Sequence, residues 1–481
     1  MKKKILPLFF FASGLISCEK PPFDEFLRVE TPPLDFELTE IGEARYDFRT
    51  NCYTVEVEVL INEPGVSQII QCGLECSTDS LFSESSERVT LNCDSIPGRN
   101  TGYLSRIKPG VTYFCRPFVS TELQQTKYGE SIAYTLTDAW IRIEVDKDFI
   151  PRHGATSFTI NNKAYLGLGA SEGNILLKDF WSYSESEGWE RLEDFPGLGR
   201  KNAYGYSPTD IDSGYILGGK TEVSSSQPST EFWIYSLEGI WENLQPFPEE
   251  LPHYSTISAT ESSAYLIGGV KNSIFSPLPN KNIYQMFGNE WNKIDQYKTQ
   301  SEGTDLVGFY YNFCDENSLC AQRCAPYKFQ TIFIGSGFRI PTAPLSTTPN
   351  SLKTDFWQLN LNFQESQVFP INCFRTIPDT RWEDLEPNGL PNLQVNSLYL
   401  EPRSKLYSFQ IGTKGFLLIP EKKSVWEFDL IERQWSKKKN LPDDISLGFD
   451  GISFSLNGNG FIGTGNYQDS LSRQIYKYFP D

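Results

Sequence analysis

Apolar residues along this chain come in short runs, each closed off by a cluster of Gly, Pro, Asn or Ser. Some runs alternate apolar with polar positions and others are wholly apolar, as expected of half-buried and fully buried strands. No long stretch carries apolar residues at helical spacing, so the pattern predicts an all-β chain. One phrase is written twice. Residues 179–196 read DFWSYSESEGWERLEDFP and residues 231–248 read EFWIYSLEGIWENLQPFP, 52 positions apart. Each begins with an acid, Phe and Trp, carries a second Trp eight residues on, and ends in Phe-Pro. AYLGLG (164–169), GYILGG (214–219) and AYLIGG (264–269) accompany them, spaced by 50 residues both times. IFIGSG (332–337), GFLLIP (415–420) and GFIGTG (460–465) follow later.

An apolar strand ending in glycines, then an aromatic strand, then Trp, at a period near 50, resembles the kelch repeat of β-propellers. The resemblance covers about residues 138–481 and implies a ring of four-stranded blades. Trp181, Trp233, Trp357 and Trp426, with Tyr284 and Tyr476, fall in third strands; Trp189, Trp241, Trp291, Trp382 and Trp435 fall in fourth strands. Six third strands therefore face five fourth strands after residue 150, and the chain ends at QIYKYFPD with none left. The strand around Trp140 is expected to complete the last blade and close a six-bladed ring. The fifth blade is degenerate, with Ile419-Pro420 in place of glycines, and a seventh blade within 384–412 is the alternative count.

Residues 32–137 have another cadence. GLECSTDSLF, IKPGVTYFCRPFVS and YGESIAYTL resemble a fibronectin type III-like β-sandwich of bacterial surface lipoproteins. The resemblance makes Tyr113 its corner tyrosine, and puts Cys76 where a large aromatic is usual, as if a disulfide replaced some packing. Five cysteines, Cys52, Cys72, Cys76, Cys93 and Cys115, occur here, so at least one is left over unless it pairs elsewhere. Cys314, Cys320, Cys324 and Cys373 lie in two insertions of the fourth blade, 312–328 and 362–380, and are disulfide candidates with three possible pairings.

The first residues, MKKKILPLFFFASGLISC, join a basic start to an apolar core too short to span a bilayer. Leu15-Ile16-Ser17-Cys18 resembles the lipobox of bacterial lipoproteins. That implies removal of 1–17, lipidation of Cys18, a tether over 18–31, and display at the outer membrane, on the cell surface or facing the periplasm. The formal charge of −18 becomes more negative once the leader takes three lysines with it, which argues against nucleic acid as a partner. Membrane contact is then expected through the anchor alone.

Kelch-type rings host enzymes, and each has requirements. Copper sites of the galactose-oxidase kind need two His and tyrosines around one metal, whereas the two histidines here, His153 and His253, precede strands of different blades. The S-x-D-x-G-x-T-W boxes of sialidases are absent. The sequence calls for no metal and no cofactor. Arg152, His153, Arg200, Lys201 and His253 occupy matching places before the innermost strands, which in a propeller is the mouth of the central channel. They are the candidate ligand-binding residues, on the face that also carries the loops 221–230, 271–281 and 338–353. The expected function is binding of a protein partner or glycan without catalysis. The alternative is a carbohydrate-active enzyme of the sialic-acid mutarotase kind, working in the funnel.

Overall fold

The computed structural model describes residues 34–65, 67–83, 86–93, 97–123, 125–222, 227–271, 278–296, 303–304, 306–312, 330–335, 337–339, 355–361, 382–385, 406–467 and 470–481. Among these residues the regular structure is strand, with short 3-10 turns and no α-helix. The chain divides into two compact units. The first takes residues up to Ala44, Val55–Ser105 and Thr112–Tyr134; the second takes Arg45–Thr54, Arg106–Val111 and Thr135–Asp481.

Two antiparallel sheets make the first unit, and the ends of four of their strands belong to the second. Asp35–Asp47, Cys52–Glu63 and Gly98–Ile107 form one; Glu87–Thr90, Ile69–Ser77, Thr112–Thr121, Thr126–Tyr128 and Ile132–Thr135 form the other. Val55, Val57, Val59 and Ile61 are buried at every second position, the period of a strand with one face on a core. Cys76 stands opposite Cys115 on the neighbouring strand, and the two are bonded, as are Cys72 and Cys93. Cys52 is the free cysteine among the described residues. Cross-links of this kind typically stabilise a small domain by about 2–4 kcal/mol each.

The second unit contains six four-stranded antiparallel sheets among the described residues. Their first strands are Thr156–Ile160, Tyr204–Tyr206, Thr256–Ala259, Val307–Asn312, Tyr407–Ile411 and Ile452–Leu456. In five sheets all four strands follow in chain order. In the sixth, Ile475–Phe479 pairs on its outer side with Ala139–Ile143, from the start of the unit. Each first strand neighbours the next, and the sixth neighbours the first. The sheets thus stand around a closed circle, a β-propeller arrangement.

Aromatic and branched residues fill the spaces between sheets. Phe158, Phe180, Ile216 and Tyr235 fill the first space, and Tyr206, Phe232, Tyr284 and Trp291 the second. The last, between sixth and first sheets, holds Phe454, Phe461, Ile475, Leu166 and Trp181. A single sheet has two apolar faces and can bury them only against neighbours, so the ring is the stable unit. Each fully buried large side chain contributes roughly 1.5–3 kcal/mol relative to exposure.

Near the axis, side chains tie one first strand to the next. Ser157 and Thr159 donate to the carbonyls of Ser453 and Ser455, at 3.3 and 3.1 Å. Ser453 donates to Ser408 O at 2.8 Å, and Gln410 Nε2 to Tyr310 O at 2.6 Å. The regions named for the cysteine-bearing insertions, with Cys314, Cys320, Cys324 and Cys373, lie outside the described residues, as do Cys18, the tether and most of 384–412.

Candidate functional site

The repeated phrase has a physical explanation in one recurring staple. Asp179, the acid before Phe180-Trp181, accepts hydrogen bonds from Arg152 Nη1 at 2.7 Å and from Trp181 Nε1 at 2.7 Å. Arg152 is fully buried, lies 4.1 Å from the centre of the Phe149 ring, and also donates to Leu168 O at 3.1 Å. One sheet on, Arg200 repeats every element: Phe195 beneath it at 4.8 Å, Gly218 O at 2.9 Å, and Glu231, which also receives Trp233 Nε1 at 3.1 Å. Phe195 in turn meets Trp233 and Trp241 edge-on. Burial would raise the pKa of Asp179, but hydrogen bonds and charge from Arg152 outweigh it and hold the carboxyl below its ordinary range. Glu231 is shifted down by the same balance, with Arg200 and Trp233 as its donors. The guanidinium groups of Arg152 and Arg200 are thus placed in the interior, where a carboxylate meets each charge.

The glycine signature marks the other half of the staple. Gly169, Gly219, Gly269 and Gly465 have φ of +89, +87, +83 and +93°. A Cβ at Gly269 would stand 2.4 Å from His253 O, and one at Gly169 2.7 Å from His153 O. The position before tolerates Leu168 and Thr464, also left-handed, so only the second glycine of each pair is required.

That crowding fixes the loops leading to the first strands. His153, Lys201, His253 and Phe449 each bridge to the residue after the glycine, namely Ala170, Lys220, Val270 and Asn466. The residue after each bridge is left-handed: Gly154, Asn202, Tyr254 and Asp450, with φ of +62, +57, +54 and +55°. Backbone bonds join neighbours in this collar, Asn202 N to Gly154 O at 2.8 Å and Gly154 N to Asp450 O at 2.7 Å. Glycine, Asn and Asp adopt this conformation readily, whereas a tyrosine there stores roughly 1–3 kcal/mol.

All four collar residues line one cavity of about 220 Å³, with Ala203, Tyr204, Lys220, Pro228, His253 and Ser255 among its other walls. Lys220 makes no ion pair among the described residues. Asp450 is buried, and its carboxylate lies 3.7 Å from His153 Nδ1. His153 Nε2 is 3.4 Å from Asn174 Oδ1, which also accepts from Lys201 Nζ at 3.2 Å. Tyr204 donates to Pro252 O and accepts from Ser255 N, which fixes its ring across the second and third sheets.

The five basic residues named from sequence therefore separate into three places. His253 is in the cavity wall, His153 and Lys201 stand beside it around Asn174, and Arg152 and Arg200 are inside. Asn202, Tyr204, Lys220, Tyr254 and Asp450 escaped the sequence reading, which compared the loops only at the basic residues before the innermost strands. Aligning the loops on their glycines would have put Tyr254 and Asp450 level with Gly154, and Tyr204 in the same column. Among the described residues no three His, Cys, Asp or Glu side chains gather as a metal site. Parts of the loops 221–230, 271–281 and 338–353 lie outside the described residues.

No family model and no curated protein matches the chain. Among solved structures, that of YjhT is similar at 12% identity, covering 69% of this chain and 95% of that one, with a TM-score of 0.48.

Proposed function

We propose that this protein is a lipid-anchored binding protein of the outer membrane, tethered through Cys18 and displayed at the cell surface, whose second unit holds one sugar unit of a glycan without altering it. The observation that carries the reading is the cavity set in the left-handed collar. At about 220 Å³ it is smaller than the roughly 300–1,000 Å³ of pockets for drug-sized ligands, and suits one small polar unit. Lys220 and Asn202, whose side chains can donate, line it together with Asp450, whose carboxylate accepts. A strained Tyr254 in the same wall is the kind of backbone outlier that clusters at ligand sites.

A glycan array probed with the protein tests it. Bound glycans are expected, and replacing Asn202 and Lys220 together by Ala should weaken binding about tenfold, or 1.4 kcal/mol. An empty array would favour a protein partner. Binding that survives the double change would overturn the cavity as the site.

A second reading is an epimerase of the mutarotase kind, favoured by one observation: an acid, Asp450, and an imidazole, His253, line the same cavity. Anomer exchange of a free sugar, followed by NMR and abolished by Asp450→Asn, would decide for it.

A further inference from the structure

A second cluster, in the first unit and independent of the cavity, carries more charge than its structural task uses. Arg88, Glu75 and Arg116 stand directly opposite one another on three adjacent strands. The buried Glu75 carboxylate accepts from Arg88 Nε at 2.9 Å, Ser86 Oγ at 3.0 Å, and Arg116 Nε and Nη2 at 2.8 and 2.7 Å. Its acceptor capacity is full, yet it neutralises only one of two guanidinium groups. The Nη1 atoms of Arg88 and Arg116 have no partner among the described residues. Their side chains remain 46% and 26% exposed.

Aromatic rings hold both cations in place. The Arg116 guanidinium lies 3.9 Å from the ring centres of Phe82 and of Tyr128. Arg88 lies 5.8 Å from the Tyr128 ring and donates through Nη2 to its hydroxyl. Phe82 reaches its place from a left-handed backbone, φ +52°, a conformation that a bulky side chain adopts only when it is held there. Asp79 does the holding, accepting from Leu81 N at 3.0 Å and Ser83 N at 2.8 Å. Tyr128 and Leu81 are exposed on this surface.

We propose that this cluster binds a sugar carrying an oxyanion, such as a uronic acid or a sugar sulfate. The Nη1 groups of the two guanidinium forks would take the oxyanion, since Arg presents planar, bidentate donors that fit carboxylate and sulfate oxygens. The exposed Tyr128 would offer ring surface to the C–H face of the pyranose. A net negative protein attracts no polyanion at long range, so a single local charge is the ligand feature read here.

Arginine-selective labelling of the full-length protein with phenylglyoxal, read by peptide mass spectrometry, tests this without any substitution. Glucuronate or glucose 6-sulfate should slow labelling of Arg88 about threefold or more near saturation. Labelling of the exposed Arg99, whose partner is Glu58, should not change. Which of the two sugars protects more tells carboxylate from sulfate. Equal protection by glucose, or by acetate or inorganic sulfate at matched concentration, would overturn the assignment to an anionic sugar. No protection by either anionic sugar, or equal protection of Arg99, would overturn the site.

Discussion

Arg152 carries a full positive charge to a place with no solvent access, and its stability there depends on Asp179. Taking away one member of a buried pair leaves the other charge stranded, so Arg152→Met should destabilise the second unit by roughly 3–5 kcal/mol in denaturant unfolding. Arg200→Met should cost less, because Glu231 is 38% exposed and water can solvate it, whereas Asp179 is 11% exposed. The pH dependence has a definite sign. The folded-state pKa of Asp179 is depressed, so its contribution is complete above its unfolded value of about 3.9 and disappears as pH falls through the folded value. The deficit of Asp179→Asn against wild type, measured at neutral pH, should therefore shrink below about pH 4. Glycines make a paired test of the collar. Gly269→Ala meets a carbonyl oxygen and should be severely destabilising, whereas Gly173→Ala, equally left-handed but facing open space, should cost only about 1–2 kcal/mol. The glycines were legible in the sequence because close backbone approach leaves few alternatives to them. The direction of Arg152 and Arg200 was not, since a cation before a strand reads the same whether it points to solvent or inward; the acid-Phe-Trp phrase held the clue to its partner.

At the scale of elements, the repeat was legible because inter-sheet packing demands aromatics at fixed places. Trp181 and Trp189, like Trp233 and Trp241, sit on third and fourth strands, and Tyr284 and Tyr476 fill the third-strand place in their sheets. What gave no local signal is the treatment of the outer edge of Ala139–Ile143. An outermost strand presents unpaired N–H and C=O groups, a template for unwanted pairing. Here Tyr53 Oη accepts from Trp140 N and donates to Trp140 O, both at 2.8 Å. Asn51 does the same at Arg142, accepting from its N–H at 2.8 Å and donating to its carbonyl at 2.7 Å. Residues almost a hundred positions upstream, at a turn and the start of the strand after it, cannot be matched to that edge from sequence. Tyr53→Phe should strand a buried N–H and a buried C=O, cost about 1–3 kcal/mol, and speed hydrogen exchange at Trp140 well beyond that at Trp181.

At the scale of the whole molecule, the proposed anchor makes one cysteine responsible for membrane affinity. Cys18→Ala should move the protein into the soluble fraction, and a variant that stays with membranes through a carbonate wash would require another attachment. The closure of the ring has a consequence in time rather than in space. Asp138 and Tyr478, 340 positions apart, are hydrogen-bonded across the last sheet. Ala139–Ile143 is made more than three hundred residues before its partner Ile475–Phe479. The first sheets can assemble as they emerge, but the ring stays open, with unpaired edges, until Ile475–Phe479 has emerged. Long-range strand pairing of this kind is slow, and an open edge invites association with other chains. A circular permutant that carries residues 138–150 after Asp481 would turn this most distant pairing into a local hairpin, and should close its ring faster than the natural chain while keeping the same sheets.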